Sequence, residues 1–174
     1  MACLRRFTEL LGVGLILVGC GVAEKESSSQ LSSFNGGAVD YISVVVKDLR
    51  FNAGSPQQKE TQVCYAVFAG SEGFPSDPSR VVLKGCQRVT STVASFLIEE
   101  LPPSVDGYVV SLFQDMNMNG KLDTRGLFGV QVPEEPFGFS QNPALLGAPT
   151  YEKCKIMPQK NGERFEILMR KIGG

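Results

Sequence analysis

The chain after residue 38 consists of short apolar runs separated by turn-forming residues, which is the pattern of β-strands. Along 61–69 (TQVCYAVFA) alternate side chains point to opposite faces of a strand, and both faces are apolar. This predicts a central strand that is covered on both sides. Similar runs predict six further strands at 41–49, 81–89, 93–98, 108–113, 154–157 and 165–169.

Turn signals between the runs predict how the strands connect. We expect one hairpin between 81–89 and 93–98, joined near 90–92, and a second that turns at Asn161-Gly162. No stretch after residue 20 holds a period of 3.6 residues, so no helix is predicted. About seven strands predict an all-β domain over 38–174, an antiparallel immunoglobulin-like or transthyretin-like β-sandwich with one long ordered loop. A small closed barrel is the alternative.

The amino-terminal residues form a charged and then apolar leader. MACLRR carries two arginines, and the apolar segment 10–18 that follows is too short to span a membrane. The segment ends in LVGC, which resembles the lipobox of bacterial lipoproteins and whose cysteine is Cys20. We therefore predict a signal peptide at 1–19 and attachment of diacylglycerol to the Cys20 thiol, with an ordinary signal peptide as the alternative.

Residues 20–37 (CGVAEKESSSQLSSFNGG) are polar and serine-rich, so we predict a lipidated, flexible tether. More than one buried acyl chain anchors a protein stably to a membrane. Gly21 stands where an aspartate would act as the bacterial inner-membrane retention signal. The expected location is the bacterial cell envelope, with the N-terminal lipid in the outer membrane.

Composition excludes several functions. The chain has no histidine, which removes Ser-His-Asp and Cys-His catalysis and histidine-ligated zinc. A net charge of −1 gives no basic field, so no nucleic acid partner is expected. The carboxylates of Asp115, Asp123, Glu134 and Glu135 lack a diagnostic spacing, so we predict a non-enzyme and keep a carboxylate-based hydrolase as a minor alternative.

Three cysteines, Cys64, Cys86 and Cys154, follow the tether. An exported protein meets oxidising conditions, so one disulfide and one remaining thiol are expected. We favour Cys64–Cys86, because these two residues lie on strands that are near neighbours in the chain. Three small buried cysteines without a disulfide are the alternative.

The segment 115–123 (DMNMNGKLD) spaces oxygen-bearing side chains as calcium loops do. The candidate calcium ligands are Asp115, Asn117, Asn119, the Lys121 backbone, Asp123 and a downstream carboxylate from Glu134 or Glu135. Gly126 occupies the position of the bidentate EF-hand glutamate, so an EF-hand domain is excluded. The alternative is a metal-free turn, in which Asn-Gly supplies left-handed backbone and Asp115 caps backbone amides.

Aromatic residues and prolines alternate in the segment that follows. Pro136, Pro143 and Pro149 stiffen the chain around three aromatic residues, Phe137, Phe139 and Tyr151. We expect these rings to pack the loop onto the edge of the sandwich. A ligand-binding lip formed by the same three rings is the alternative.

Several short motifs carry a resemblance to a known family. They are DMNMNGKLD at 115–123, FGFS at 137–140 and APTY at 148–151, with GFP at 73–75 and LPP at 101–103 upstream. Over about 39–169 the chain resembles the bacterial domain-of-unknown-function 2141 family, from which it departs at Gln141, Ala148 and Cys154 and by two extra residues before Pro133. The resemblance implies an exported β-sandwich and no established activity.

These observations predict a non-catalytic, envelope-anchored lipoprotein that binds a partner or has a structural role. If the segment 115–123 is a calcium site, the ion stabilises this loop. The expected partners are the membrane, through the N-terminal lipid, and an envelope protein or glycan. A carbohydrate- or peptide-binding module that uses the aromatic lip is the alternative.

Overall fold

The computed structural model describes residues 39–51, 60–127, 130–144 and 147–172. These residues belong to one compact unit, Asn35–Gly174. The predicted signal peptide, the whole predicted tether and Cys20, the predicted lipidation site, lie outside the described residues. Within the described ranges, no helix is long and apolar enough to cross a membrane.

Nine strands and two single helical turns make up the described part of the chain. The strands are β1 Ile42–Lys47, β2 Thr61–Phe68, β3 Val81–Val89, β4 Ala94–Ile98, β5 Val109–Asp115, β6 Thr124–Leu127, β7 Val130–Pro133, β8 Phe137–Phe139 and β9 Glu163–Leu168. The turns are a 3₁₀ segment at Pro78–Arg80 and an α-helical turn, α1, at Tyr151–Cys154. The long loop therefore contains three short strands and a helical turn of its own.

Seven of the strands form two sheets, with orders β4-β1-β9 and β3-β2-β5-β8, and β6 and β7 pair as a separate hairpin. Neighbouring strands are antiparallel except for β1 and β9, which are parallel. The all-β sandwich prediction is confirmed. β2 lies between β3 and β5, as its two apolar faces predict.

Both predicted hairpins are wrong. β3 and β4 are consecutive in the chain, but β3 pairs with β2 and β4 pairs with β1, so the connection crosses from one sheet to the other. Both strands contribute to the same core, since Val89 of β3 and Ile98 of β4 are buried there. The predicted strand 154–157 is instead the end of α1 followed by a single bridge between Ile156 and Tyr108, and β9 pairs with β1.

Two apolar cores lie on the two faces of the four-stranded sheet. The inner core, between the sheets, contains Ile42, Val44, Val46, Val63, Val67, Ile98, Val110, Leu112 and Ile167. The outer core covers the opposite face and contains Phe68, Val109, Phe137, Phe139, Tyr151 and Cys154. The outer core exists because the long loop and α1 fold back over this sheet.

Gly138 lies where β8 approaches β9 most closely. A Cβ atom there would be 2.8 Å from Ile167 Cγ2 and 2.8 Å from the Leu168 carbonyl oxygen. Only glycine fits this approach without displacing backbone. The neighbouring Phe137 and Phe139 then both contribute their rings to the outer core.

The disulfide joins Cys64 of β2 to Cys86 of β3, the pairing that the sequence favours. The two residues are direct partners in the strand register, and their Cα atoms are 4.0 Å apart. In the chain-entropy model this link stabilises the fold by roughly 3 kcal/mol. Cys154 is a free thiol in the outer core, where burial raises its pKa to about 11.

Candidate functional site

Asp115, the last residue of β5, is fully buried and organises the loop that follows it. Its Oδ1 accepts a hydrogen bond from the Asn119 amide at 3.1 Å. Its Oδ2 accepts bonds from the Gly120 amide at 2.6 Å and from Gln62 Nε2 at 2.7 Å. One carboxylate therefore closes the loop on itself and fastens it to β2.

The side chains of the loop also fix its backbone. Asn117 Oδ1 accepts a bond from the Asn119 amide at 3.1 Å, and Asn119 Oδ1 accepts one from the Lys121 amide at 2.7 Å. Gly120 has φ +75° and Met118 has φ +60°, so two residues adopt left-handed backbone. Gly120 thus adopts the left-handed backbone that the sequence predicts for the Asn-Gly pair, whereas the second left-handed residue is Met118 and not Asn119.

Glu135 holds the two ends of the loop together. It is only 5% exposed, and its Oε1 and Oε2 accept the amides of Met116 at 2.7 Å and of Asp123 at 3.2 Å. Burial raises the pKa of Glu135, and the nearby negative charges of Asp115 and Asp123 add to this. The two backbone hydrogen bonds act in the opposite direction.

The raised pKa of Glu135 predicts a pH dependence that the variant Glu135→Gln lacks. The folded protein holds the Glu135 proton more tightly than the unfolded chain does, so this group favours folding most below its ordinary pKa of 4.5. That contribution is lost as the pH rises through the raised pKa. In urea unfolding between about pH 4 and pH 7, the wild-type stability should fall relative to that of Glu135→Gln. A relative rise would mean that the two amide bonds outweigh burial.

Asp123 closes the far end of the loop. Its carboxylate accepts bonds from Asn117 Nδ2 at 2.6 Å and Asn119 Nδ2 at 3.2 Å, and its carbonyl accepts the Glu134 amide at 2.9 Å. The structure thus brings together five of the candidate calcium ligands, Asp115, Asn117, Asn119, Asp123 and Glu135.

The donor set of this cluster does not have the arrangement of a cation site. Amide nitrogens of Asn117 and Asn119, rather than their oxygens, point at the Asp123 carboxylate. Across the described ranges, no group of three or more Asp, Glu or Cys side chains is arranged to hold a metal ion. Calcium coordination by Asp123 would have to compete with the bonds that its carboxylate accepts from both asparagine amides.

Phe74 is the centre of an aromatic cluster in the outer core. Its ring centroid lies 5.2 Å from that of Phe68, 5.9 Å from that of Phe139 and 6.0 Å from that of Tyr151, each edge-to-face. Phe137 packs against Phe139 at 6.0 Å. The three rings of the alternative ligand lip are all buried, which matches the expectation that they pack the loop onto the edge of the sandwich. A lip role would require them to move into solvent.

Polar contacts fasten α1 beside this cluster. The Tyr151 hydroxyl donates to the Gly107 carbonyl at 2.8 Å, and burial raises its pKa to about 12. The fully buried Ser140 donates to the Cys154 carbonyl at 2.5 Å and accepts the Val110 amide at 3.0 Å. The hydroxyls of Tyr151 and Ser140 are therefore used to hold the loop on β5.

Three amide side chains contribute contacts that the sequence reasoning missed. Gln62 binds Asp115, Gln114 bonds both the amide and the carbonyl of Arg50, and Asn142 bonds the backbone of β9 along its edge. A signal existed only for Gln114. It follows Val110 and Leu112 on the inward face of β5, and a polar residue there needs a buried partner.

One protein family matches the part of the chain that contains both the loop 115–123 and the outer core. The family described as "Uncharacterized protein conserved in bacteria (DUF2141)" matches residues 54–165, more than half of the chain. The chain belongs to the DUF2141 family. No curated protein and no solved structure matches it.

The motifs of this DUF2141 chain meet in two clusters. DMNMNGKLD forms the loop that Asp115 and Glu135 hold closed. GFP, FGFS and APTY supply Phe74, Phe139, Ser140 and Tyr151 to the outer core. In this domain the motif residues contact one another.

Proposed function

We propose that the chain is a non-catalytic, lipid-anchored module of the bacterial cell envelope, which binds an envelope protein or stabilises an envelope assembly. The observation that supports this most is the use of the two buried carboxylates. Asp115 accepts hydrogen bonds from backbone amides in the middle of the loop, and Glu135 accepts them from the amides at its two ends. The two carboxylates therefore stabilise the conformation of this loop.

The hydrolase alternative is disfavoured by the same contacts. A general acid or base must reach the proton that it transfers in a bound substrate. Asp115 is 0% exposed and Glu135 is 5% exposed, and the oxygens of both are directed at the protein's own amides. Histidine is the side chain whose ordinary pKa lies close to neutral pH, and the chain contains none that could act as the acid or base instead.

The part of the loop that remains for a partner is its crest, residues 117–122. The crest is exposed and includes the apolar side chains of Met118 and Leu122, which are 37% and 39% exposed. The bonds from Asp115 and Glu135 fix its shape before any partner arrives, which lowers the entropic cost of binding. A glycan partner is less favoured, because the rings that would stack on a sugar are buried.

Lipid anchoring is tested by Cys20→Ser. Cells grown with a labelled fatty acid should incorporate label into the wild-type protein and not into the variant, because Cys20 is the lipobox cysteine whose thiol would receive the diacylglycerol. Cys3→Ser is the matched control, since Cys3 lies in the predicted leader, and it should be labelled like the wild type. Equal labelling of Cys20→Ser and the wild type would contradict the proposal.

A substitution at Gly21 tests the proposed outer-membrane location. Gly21→Asp restores the residue that acts as the inner-membrane retention signal, so the protein should move from the outer-membrane to the inner-membrane fraction of a density gradient. Gly21→Ala should stay with the outer membrane. Wild-type protein in the inner-membrane fraction would remove this part of the proposal.

A calcium titration tests the hypothesis that calcium binds and stabilises the loop 115–123. If the loop bound calcium with a Kd of ~10⁻⁴ M, ~1 mM calcium would stabilise the fold by about 1.4 kcal/mol. The bonds between Asp123 and the two asparagine amides lead us to expect the same melting temperature in calcium, magnesium and chelator. A rise in calcium alone that Asp123→Asn abolishes would establish a calcium-stabilised loop instead.

A further inference from the structure

The two sulfurs of the disulfide lie in different environments. Cys64 is on the central strand β2 and is 4% exposed, with Phe113 of β5 as its register partner on the other side. Cys86 is on β3, the edge strand of the four-stranded sheet, and is exposed. A thiolate that approaches from solvent therefore reaches Cys86 and not Cys64.

Cationic side chains flank the accessible sulfur. Alternate residues of a strand point to the same face, so Lys84, Cys86 and Arg88 share one face of β3. Arg88 pairs with Glu60 at 3.6 Å. In the described part of the chain Lys84 has no ion-pair partner, so its charge is available to an anion beside Cys86.

We propose that Cys64–Cys86 is an exchangeable disulfide and that Cys86 is a site of S-thiolation by anionic low-molecular-weight thiols. The thiolate RS⁻ attacks Cys86 Sγ, the Cys64–Cys86 bond breaks, and an RS–Cys86 mixed disulfide forms. Cys64 leaves as a thiolate and takes a proton from water. A second RS⁻ attacks the sulfur of R, which releases Cys86 as a thiolate and RSSR as the oxidised product.

The fold also supplies the reverse step. β2 and β3 pair through their backbones on both sides of the disulfide, which keeps the two cysteines opposite each other after the bond has opened. The Cys64 thiolate is then held next to the mixed disulfide and can displace RS⁻ from Cys86. Cys86 is the reactive cysteine and Cys64 the resolving one. The edge strand β3 thus carries a reversible redox modification.

The direct test uses the full-length wild-type protein and glutathione. After incubation with reduced glutathione at several concentrations and rapid alkylation, peptide mass spectrometry assigns the state of each cysteine. We expect glutathione on Cys86 and a reduced thiol without glutathione on Cys64. Cys154 is fully buried and reports unfolding, because it is alkylated only when the fold opens. Glutathione on Cys64, or none on Cys86 while Cys154 stays protected, overturns the proposal.

Two single variants test the asymmetry without relying on the disulfide. In Cys64→Ser the free Cys86 should react with a disulfide reagent at least tenfold faster than the free Cys64 of Cys86→Ser, with Cys154 protected in both. If Cys154 becomes reactive in either variant, the wild-type mapping alone decides. Equal rates in two folded variants contradict the assignment of roles.

Thiols of opposite charge show whether Lys84 attracts the reagent or whether Cys86 reacts only because it is exposed. Glutathione is anionic and cysteamine is cationic, so Lys84 should favour the first over the second. In Lys84→Gln the ratio of their rates should fall about twofold or more at low salt, and added salt should reduce the wild-type ratio in the same way. Lys160→Gln is the matched control, because Lys160 is also an exposed lysine and precedes Asn161 in the chain. An unchanged ratio in Lys84→Gln would contradict selection for anionic thiols.

Discussion

Asp115→Ala is expected to lower the free energy of unfolding by about 3 to 5 kcal/mol, because it removes the acceptor of three hydrogen bonds in a buried site. Hydrogen bonds to a charged group contribute about 1.5 to 3 kcal/mol each and are not additive. The Gly120 amide and the Gln62 side chain lose this acceptor, and the Asn119 amide keeps only its bond to Asn117 Oδ1. Urea unfolding followed by circular dichroism measures the loss.

Asp123→Ala is the matched control for this experiment. Asp123 lies in the same loop and has the same charge, but its carboxylate binds only the exposed side chains of Asn117 and Asn119. We expect a loss of about 1 kcal/mol or less, since exposed polar contacts contribute little. Equal losses for the two variants would mean that Asp115 does not organise the loop.

The contrast between these two aspartates shows what the sequence reveals about the site. The spacing of 115–123 indicates a turn, because its Asx contacts and its glycine are local. It does not distinguish the buried Asp115 from the half-buried Asp123. That difference comes from β2, whose register places Gln62 opposite Asp115, and register between distant strands is set by the whole core.

The same limit applies to the fold. Apolar alternation located six strands to within a few residues, because each has one or two buried faces. It could not assign β3 and β4 to different sheets, since a hairpin and a crossover bury the same residues. β6, β7, β8 and α1 have three or four residues each, which is too short for a period to be visible. Their positions depend on contacts with Glu135, Ser140 and Phe74.

Phe139→Ala is expected to lower the free energy of unfolding by about 3 to 5 kcal/mol, the usual cost of removing a buried aromatic ring. Phe139 contacts both Phe74 and Phe137, so its loss leaves a cavity where the GFP, FGFS and APTY motifs meet. The backbone of β8 cannot readily close that cavity, because Gly138 already lies against β9. Thermal and urea unfolding both measure the effect.

Phe139→Leu separates packing from any contact that a ring makes with a ligand. Leucine fills most of the cavity, so this variant should lose only about 1 to 2 kcal/mol, and Val105→Ala, at a side chain that is 92% exposed, should lose almost nothing. If Phe139 formed a binding lip, alanine and leucine would instead leave stability nearly unchanged and abolish ligand binding alike. A graded loss of stability, alanine more than leucine, follows only if the ring anchors the loop onto the sandwich. The exposed crest at 117–122 then remains the surface of the loop that an envelope partner can reach.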